Sequence, residues 1–302
     1  MLGHSPKAVG VNLVKNALAP VVVRLHPGRG VLGMDGDHPA IANTLEWLAR
    51  PIEKLAVSFA GIHVLELGPG RTPEVCGVAL LAGARAATGI DVVRYIDPDS
   101  NRSERLAPVL DILSSGRADE WCRATGTDIE RARERAASFG GRWPLRFHAF
   151  DGQNVPLPDA SVDLVISKSV LEHVPDRQVE PQLADLQRVL RPGGVMIHII
   201  DLRDHLHQAG ENGVAGDWLE ALRYPPKLFD AMFSNRSTYI NRLRAGEWLD
   251  VLAATGFETE YEERKPFPLP EDFDASRLLE RWRGLDRDEL EIGCLTLGVR
   301  KA

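Results

Sequence analysis

Cysteine is scarce in this chain of 302 residues, which contains only Cys76, Cys122 and Cys294. The number is odd, the three residues are far apart, and no pair has the spacing of a metal site. The pattern argues against a disulfide framework, and we predict no metal. Free, buried thiols in the reducing cytosol are the simplest interpretation, so we expect a cytoplasmic protein.

Long apolar runs are also missing. No stretch approaches the roughly 20 residues that span a bilayer, and the first residues lack the ordered features of a signal peptide. Residues 11–25 are apolar and mildly basic, and such a segment can touch a membrane surface. Pro20 interrupts the segment, so packing against its own domain is the favoured interpretation. We expect no stable membrane insertion.

An excess of positive charge is absent too. Lysine and arginine together number 36 against 43 aspartates and glutamates, which gives a formal net charge of −7. A general affinity for nucleic acid is therefore not expected. Residues 130–142 are rich in arginine, but Glu130 and Glu134 are interleaved there, which is typical of a solvated helix face. The hydrophobic fraction of 44% is enough for the core of an ordinary globular protein.

What is present is an alternation of helical and extended patterns. Apolar residues recur at helical spacing through residues 38–58, where Pro51 should introduce a kink. Helices are also predicted at 73–84 and 181–194, the second ending at a Pro-Gly-Gly turn. Strands are predicted at 62–67, 86–91, 145–150, 162–167, 195–200, at the end of 247–263, and at 293–299. The alternation predicts a mostly parallel, doubly wound α/β sheet with helices on both faces.

The segment 92–144 is long for a connection between two neighbouring strands. Thr127 and Glu130 form a capping-box pattern for a helix within it, and Gly140 is a suitable stop.

The first predicted strand runs into the sequence VLELGPGRTPE, residues 64–74. Gly68 and Gly70 allow a tight turn that approaches a ligand closely, but Thr72 stands where a dinucleotide-binding loop usually has a third glycine. Asp91 ends the second strand, where a carboxylate can accept both hydroxyls of a ribose. A cofactor without phosphates does not need this loop to make room for a pyrophosphate, so it is compatible with Thr72 at this position. S-adenosylmethionine is such a cofactor, and its ammonium gives the acid Glu66 a role.

The stretch DGQNVPLPDASVDLVISKSVLEHVPD, residues 151–176, extends this interpretation. Asp151 follows the third strand, where it can accept the adenine amino group, and Gln153 can add an edge contact. From about residue 62 to 200, with its LEHV and VLRPGG motifs, the chain resembles class I S-adenosylmethionine-dependent methyltransferases of the type 11-like branch. The departures are Thr72 and the long segment 92–144.

The resemblance implies a Rossmann-like sheet of seven strands, with the last strand, near 293–300, inserted antiparallel between the fifth and sixth. It also implies that Ser167 and Lys168 lie beside the transferable methyl group. The cofactor-binding residues are therefore predicted to be Glu66, Gly68, Gly70, Asp91, Asp151, Gly152, Gln153, Ser167 and Lys168.

Acids and histidines are crowded just beyond the fifth strand: Asp201, Asp204, His205 and His207. A histidine held by a carboxylate suits a general base, so His205 is the predicted base and His207 the second choice. Two alternatives stay open. The residues can simply cap the loop, or Asp201, Asp204 and His205 can hold a divalent cation.

Three arginines follow, Arg236, Arg242 and Arg244, and can bind phosphate or carboxylate on an acceptor or close the cap by pairing with acids. His173 can line the pocket or simply pack. The DLRDH and NRLR elements resemble methyltransferases found beside enzymes of glycan and polysaccharide biosynthesis.

We therefore predict an O-methyltransferase that acts on a hydroxyl of a sugar, a glycan or glycolipid, or a secondary metabolite. Methylation of nitrogen or carbon, and a cofactor-binding protein without methyl transfer, remain alternatives. Residues 1–60 are predicted to form a helical cap on a cofactor-binding domain of residues 61–302. Insertions near 92–144 and 203–245 should cover a small-molecule or glycan acceptor, and a homodimer is left open.

Overall fold

The computed structural model describes residues 6–25, 41–70, 73–93, 109, 113, 118–205, 218–235 and 239–302. Seven strands form one sheet: β1 His63–Leu67, β2 Ala86–Asp91, β3 Leu145–Ala149, β4 Val162–Lys168, β5 Leu190–Asp201, β6 Phe257–Pro266 and β7 Ile292–Lys301. Their spatial order is β3-β2-β1-β4-β5-β7-β6. Only β7 runs antiparallel to its neighbours, β5 and β6. The predicted seven-stranded, Rossmann-like fold with an antiparallel last strand is confirmed.

Helices connect these strands and cover the sheet. They are α1 Pro6–Leu25, α2 Ile41–Lys54, α3 Glu74–Ala82, α4 Asp119–Thr125, α5 Ile129–Ser138, α6 Asp176–Val189, α7 Pro226–Phe233, α8 Ala245–Ala254, α9 Glu280–Arg283 and α10 Arg287–Leu290. Short 3-10 turns occupy Leu171–His173, Glu220–Arg223 and Ala275–Arg277.

Alternate residues of the strands face two separate hydrophobic layers, because strand side chains point to opposite faces in turn. Val64 of β1 belongs to the layer that α2 and α3 cover, together with Leu48 and Leu80. Leu65 belongs to the layer that α6 and α8 cover, together with Trp248. Helix α2 is thus built into the core of the sheet.

The carboxyl ends of the parallel strands lie at one edge of the sheet. The parallel strands end there at Leu67, Asp91, Ala149, Lys168 and Asp201. Because β7 is antiparallel, it begins at this edge, and Cys294 lies opposite both Asp201 of β5 and Lys265 of β6. Ligands of open α/β sheets bind beyond this carboxyl edge, so any cofactor or acceptor site should lie here.

Two local predictions were wrong in detail. The cap of α5 is Asp128, not Thr127, because Asp128 Oδ1 accepts hydrogen bonds from the backbone N–H groups of Glu130 at 2.8 Å and Arg131 at 3.3 Å. Helix α6 ends at Val189 instead of continuing to the Pro-Gly-Gly turn, because Leu190 already pairs with Val162 as the first residue of β5.

Helix α1 packs on α7, as predicted for this apolar segment. The Asn16 side chain donates to the carbonyl of Ala231 at 2.9 Å and accepts from the backbone N–H of Asn235 at 2.8 Å. Val14 and Leu18 on the other side of α1 are exposed. Among the helices that the structure describes, none has the length and apolar character needed to cross a membrane.

Candidate active site at the carboxyl edge of the sheet

The turn after β1 depends on its two glycines. Gly68 and Gly70 adopt φ angles of +72° and +59°, a region that side chains disfavour. A Cβ atom on Gly68 would also lie 2.4 Å from Cγ2 of Val170, just beyond β4. The glycine at 68 therefore lets the turn lie directly against the end of β4. Thr72, the departure noted in the sequence, lies outside the described residues.

Glu66 connects this turn to helix α3. Its Oε2 atom accepts a hydrogen bond of 2.9 Å from the backbone N–H of Cys76, in the first turn of α3. Burial raises the pKa of the Glu66 carboxyl to about 7, although the bond to Cys76 opposes the rise. Glu66, the predicted partner of the cofactor ammonium, therefore also accepts a hydrogen bond from an N–H group at the start of α3. Because its pKa is raised, its carboxyl group holds a proton more tightly than an ordinary glutamate.

Asp91 ties the same turn to β2. Its two carboxylate oxygens accept from the backbone N–H groups of Gly70 at 3.1 Å and Val93 at 2.9 Å. Burial raises the pKa of Asp91, and these backbone hydrogen bonds oppose the rise. A small crevice opens beside it, lined by Pro69, Gly70, Gly89, Asp91, Val93, Phe147, His148 and Ala149.

Phe147 lines the crevice and Val92 adjoins its acid Asp91, and the sequence prediction named neither residue. A Cβ atom on Gly89 would lie 2.8 Å from the Phe147 ring, so the glycine makes room for the aromatic wall of the crevice. Val92 directly follows the β2 acid and is 62% exposed, an unusual position for a branched apolar side chain. A Cβ atom on Gly152 would lie 3.6 Å from Val92 Cγ1. The signal in the sequence was a valine placed immediately after Asp91.

Asp151 organises the loop after β3. It is exposed, and its oxygens accept from the backbone N–H groups of Gln153 at 2.9 Å and Asn154 at 2.7 Å, and from the Asn154 side chain at 2.6 Å. These bonds lower the pKa of Asp151 to about 2. The carboxylate therefore stays ionised and fixed two residues beyond Ala149, which lines the crevice, with Gly152 in the left-handed region at φ +86°.

Ser167 and Lys168, the two residues predicted to lie beside the methyl group, have side chains that contact different elements. Ser167 is buried, and its hydroxyl bonds with Nδ1 of His198 on β5 at 2.7 Å. Any contact between Ser167 and a cofactor would have to involve its backbone. Lys168 reaches α2 instead, where its Nζ atom donates to the hydroxyl of Thr44 at 2.8 Å and lies 5.4 Å from the centre of the Trp47 ring.

Asp201 and His205 meet at the end of β5. His205 Nε2 lies 3.8 Å from Asp201 Oδ2. Arg203 donates to both oxygens of the same carboxylate, through Nε at 2.9 Å and Nη2 at 2.8 Å. Burial alone would raise the pKa of Asp201, but the neighbouring His205 and the hydrogen bonds from Arg203 hold it below its usual value. Asp201 is therefore an anion that lies beside the His205 ring.

Asp204 lies next to His205 in the sequence and contacts the turn that follows residue 218. It is buried, and its Oδ2 atom accepts from the backbone N–H of Ala221 at 2.7 Å. It anchors the turn Glu220–Arg223 to the segment after β5, and the acid in contact with His205 is Asp201. His207 and Arg236 lie outside the described residues.

The other two arginines hold the backbone together. Arg244 is buried and donates to the carbonyls of Leu202 at 2.9 Å, Leu290 at 3.1 Å and Ile292 at 2.6 Å. Arg242 donates to the carbonyl of Tyr224 at 2.8 Å. Both guanidinium groups therefore bind backbone carbonyls, and among the described residues neither forms the ion pair with an acid that the second interpretation expected.

Glu172 and His173 of the LEHV motif lie beside His205. The rings of His173 and His205 have centroids 4.9 Å apart, and His173 Nδ1 is 2.7 Å from the carbonyl of Tyr239. Burial and the neighbouring His205 lower the pKa of His173 to about 4, so its ring is neutral. Burial raises the pKa of Glu172, and the charge of Asp201 adds to this.

Across the part of the chain that the structure describes, Glu172, His173 and His205 form one group with metal-site spacing, with ligand atoms within 4.8 Å of one another. This group differs from the cation site considered in the sequence, Asp201, Asp204 and His205, because Glu172 and His173 stand in place of the two aspartates. The expectation of no metal stays a prediction.

The methyltransferase domain family matches residues 107–198, which run through β3 and β4 into β5. The strand order and the antiparallel β7 agree with the fold of class I methyltransferases. Within residues 107–198 the chain is similar to the methyltransferase domain family.

One curated relative of this methyltransferase domain is the 27-O-demethylrifamycin SV methyltransferase of Amycolatopsis mediterranei (strain S699), which is 36% identical over 91 residues. Those residues are 30% of this chain, and the chain spans only 30% of that relative.

Among solved structures, an S-adenosylmethionine dependent methyltransferase from Mesorhizobium loti is 18% identical, with a TM-score of 0.47 over 89% of this chain and 100% of that one. The [4+2]-cyclase SpnF is also 18% identical, with a TM-score of 0.45 over 97% and 96% of the two chains. Likenesses this distant leave the activity of the chain to be argued from its own residues.

S-adenosylmethionine is the cofactor of this methyltransferase family. The residues present fit it. Gly68 and Gly70 keep the turn free of side chains, Asp91 offers a fixed carboxylate, and Val92 presents an apolar surface next to Gly152. The crevice between the ends of β1, β2 and β3 is thus suited to a nucleoside.

Proposed function

We propose that the protein transfers a methyl group from S-adenosylmethionine to a hydroxyl oxygen of a small-molecule or glycan acceptor. The observation that carries the proposal is the short distance between Asp201 and His205, 3.8 Å from Oδ2 to Nε2, at the carboxyl edge of the sheet, because an imidazole beside a carboxylate suits a general base. The relative named above, which aligns over 91 residues, has an oxygen acceptor according to its name, and this supports oxygen as the atom methylated.

In this proposal, Asp91 binds the ribose hydroxyls, and Val92 with Gly152 contacts the adenine. Asp151 and Gln153, in the loop after β3, bind the adenine edge. Glu66 attracts the ammonium of the methionine part. When bound, the cofactor supplies a methyl group made electrophilic by its sulfonium.

His205 takes the proton that the acceptor hydroxyl loses. As the oxygen attacks, the new O–C bond forms while the C–S bond breaks, and the electron pair of that bond stays on sulfur. Asp201 stabilises the imidazolium, because its carboxylate faces Nε2 and leaves the other ring nitrogen to accept the proton. Arg203 keeps the carboxylate in place.

The acceptor is proposed to enter from the side of α2 and of the segment 203–245, with residues 1–60 and 92–144 forming the rest of the cover. Loops and caps on a rigid sheet commonly carry specificity. The buried, free thiols of Cys76 and Cys294 support the proposed cytoplasmic location, where thiols stay reduced.

The test is detection of S-adenosylhomocysteine and of a methylated product with matched acceptors. Pairs of compounds that differ only by a hydroxyl or an amino group, in sugars and in phenolic or polyketide metabolites, separate oxygen from nitrogen as the acceptor atom. The proposal expects product from the hydroxyl members. Product from the amines alone would move the reaction to nitrogen, and cofactor binding without any product would favour a non-transferring protein.

A further inference from the structure

Two lysines and a tryptophan lie together at the edge of the sheet. The Nζ atoms of Lys168 and Lys265 are 5.4 Å and 5.0 Å from the centre of the Trp47 ring. Trp47 is half-buried on α2, which contributes Thr44 to the same group through its bond to Lys168. The two ammonium groups thus share one aromatic ring, although they come from strands β4 and β6.

The topology places this group beside the proposed base. Lys168 is the last residue of β4, and Lys265 lies opposite Cys294, which in turn lies opposite Asp201. Phe267 continues the row, with Lys265 Nζ 5.9 Å and the Arg203 guanidinium 4.2 Å from its ring centre. The line of side chains from Lys168 to Asp201 therefore borders the acceptor side of the site.

Positive charge is not balanced here. Within the described part of the chain, neither Lys168 nor Lys265 forms an ion pair with an acid. Asp201 is already engaged by Arg203, and burial raises the pKa of Glu172, which favours its neutral form.

The charge of Glu74 acts on Lys168 from the start of α3, but burial has the larger effect and lowers the pKa of Lys168. In a chain with a net charge of −7, two ammonium groups at one ring that form no ion pair with a described acid are a local exception. Partly buried cations of this kind are stabilised when an anion joins them.

We propose that Lys168 and Lys265 bind an anionic group of the acceptor, a carboxylate or a phosphate, while the face of Trp47 packs against the adjoining part of the molecule. The proposal rests on the proposed function for the identity of this ligand as the acceptor, and it narrows that acceptor to a hydroxylated acid or a phosphorylated sugar. It also reassigns anion recognition from Arg242 and Arg244, which bind backbone carbonyls, to the two lysines.

The cofactor itself carries a carboxylate, and Lys168 lies at a strand end next to the cofactor crevice. Replacing Lys265, on β6, distinguishes an anion of the acceptor from the carboxylate of the cofactor. If the anion belongs to the acceptor, both lysines contribute to its binding, and the substitution Lys265→Met leaves cofactor affinity unchanged. If the anion is the cofactor carboxylate, Lys168 alone is involved.

The experiment measures binding without turnover, so it does not depend on whether the protein transfers methyl groups. The full chain, saturated with S-adenosylhomocysteine, is titrated by calorimetry or NMR with inorganic phosphate and with benzoate, a carboxylate on an aromatic ring. The same titrations are made on Lys168→Met, Lys265→Met and the control Lys227→Met, an exposed lysine of α7. S-adenosylhomocysteine affinity is measured separately for each variant.

We expect saturable binding of at least one anion to the wild type. Each of the two site variants should weaken it by about tenfold or more, the loss of one charge-assisted hydrogen bond, and Lys227→Met should not. Phosphate binding without benzoate binding would indicate a phosphorylated acceptor, and the reverse an acid. Absence of saturable binding, unchanged binding in Lys265→Met, or a loss of cofactor affinity alone in Lys168→Met would overturn the proposal.

Discussion

His205 Nε2 lies 3.8 Å from Asp201 Oδ2, and the same carboxylate accepts two hydrogen bonds from Arg203. A carboxylate held in this way stays ionised, and its negative charge lies beside the neighbouring imidazole. Asp204, which is adjacent to His205 in the sequence, contacts the backbone of Ala221 instead. The two acids that the sequence offers as partners of His205 therefore have different roles.

Asp201→Asn should lower kcat and leave cofactor affinity unchanged, because the amide no longer stabilises a protonated imidazole. The loss should not exceed the ~10²–10⁴-fold expected for removing the base itself. Asp204→Asn serves as the comparison, since its effect should fall on stability more than on kcat. Steady-state rates and thermal unfolding of the two variants check this, and equal effects on kcat would contradict the division of roles.

Cofactor affinity should increase with pH between about pH 5 and 7. Burial raises the pKa of Glu66 to about 7, so the free protein binds a proton there at lower pH. The cofactor ammonium favours the ionised carboxylate, so the proton must leave on binding. Affinity should fall about tenfold for each unit below the pKa.

Calorimetric titrations across this range on the wild type and Glu66→Gln check the prediction. Glu66→Gln keeps an acceptor for the Cys76 N–H but removes the titration. Asp91 also has a raised pKa, and comparing the two proteins removes its contribution. An identical pH dependence in both would show that Glu66 does not face the ammonium.

Asp91→Ala should strongly weaken cofactor binding. Two charge-assisted hydrogen bonds to the ribose would be lost, at ~1.5–3 kcal/mol each. The substitution also releases the backbone N–H groups of Gly70 and Val93. Asp91→Asn keeps acceptor capacity on one side and should show a smaller loss. Unchanged affinity in Asp91→Ala, measured by calorimetry, would mean that β2 does not supply the ribose contact.

Arg244→Met should destabilise the protein without a direct effect on chemistry. Its guanidinium satisfies several buried carbonyls, including those of Leu202 and Ile292, and each carbonyl left without a partner costs ~1–3 kcal/mol. The matched control is Arg50→Met, which breaks an exposed pair with Glu263 and should change stability by less than about 1 kcal/mol. Urea unfolding midpoints compare the two, and similar midpoints would refute the role given to Arg244.

The ends of the strands could be predicted from the sequence. Apolar runs, glycine turns and acids at strand ends are local signals, and they located Glu66, Asp91, Asp151 and Asp201 at the correct edge. Parallel pairing then brings these positions together without further information.

Side-chain partners could not be predicted, because they come from distant parts of the chain. Nothing near Lys168 in the sequence points to Thr44 on α2, and nothing near Ser167 points to His198. The NRLR element suggested anion binding by charge alone. Asn241 within it donates to the carbonyls of Leu171 and Val174, so the element holds the LEHV turn in place.

The central claim, that His205 removes the acceptor proton, is tested most directly by the turnover of His205→Ala with a hydroxyl acceptor. Rates are measured with a chelator present and again with added divalent metal, because Glu172, His173 and His205 also have metal-site spacing. His207→Ala is measured in parallel as the second choice of base.

The account predicts that His205→Ala keeps wild-type affinity for S-adenosylhomocysteine and loses ~10²–10⁴-fold in turnover, while the wild type stays active in the chelator. Near wild-type turnover in both His205→Ala and His207→Ala would contradict the account, as would a wild type that is inactive until metal is restored.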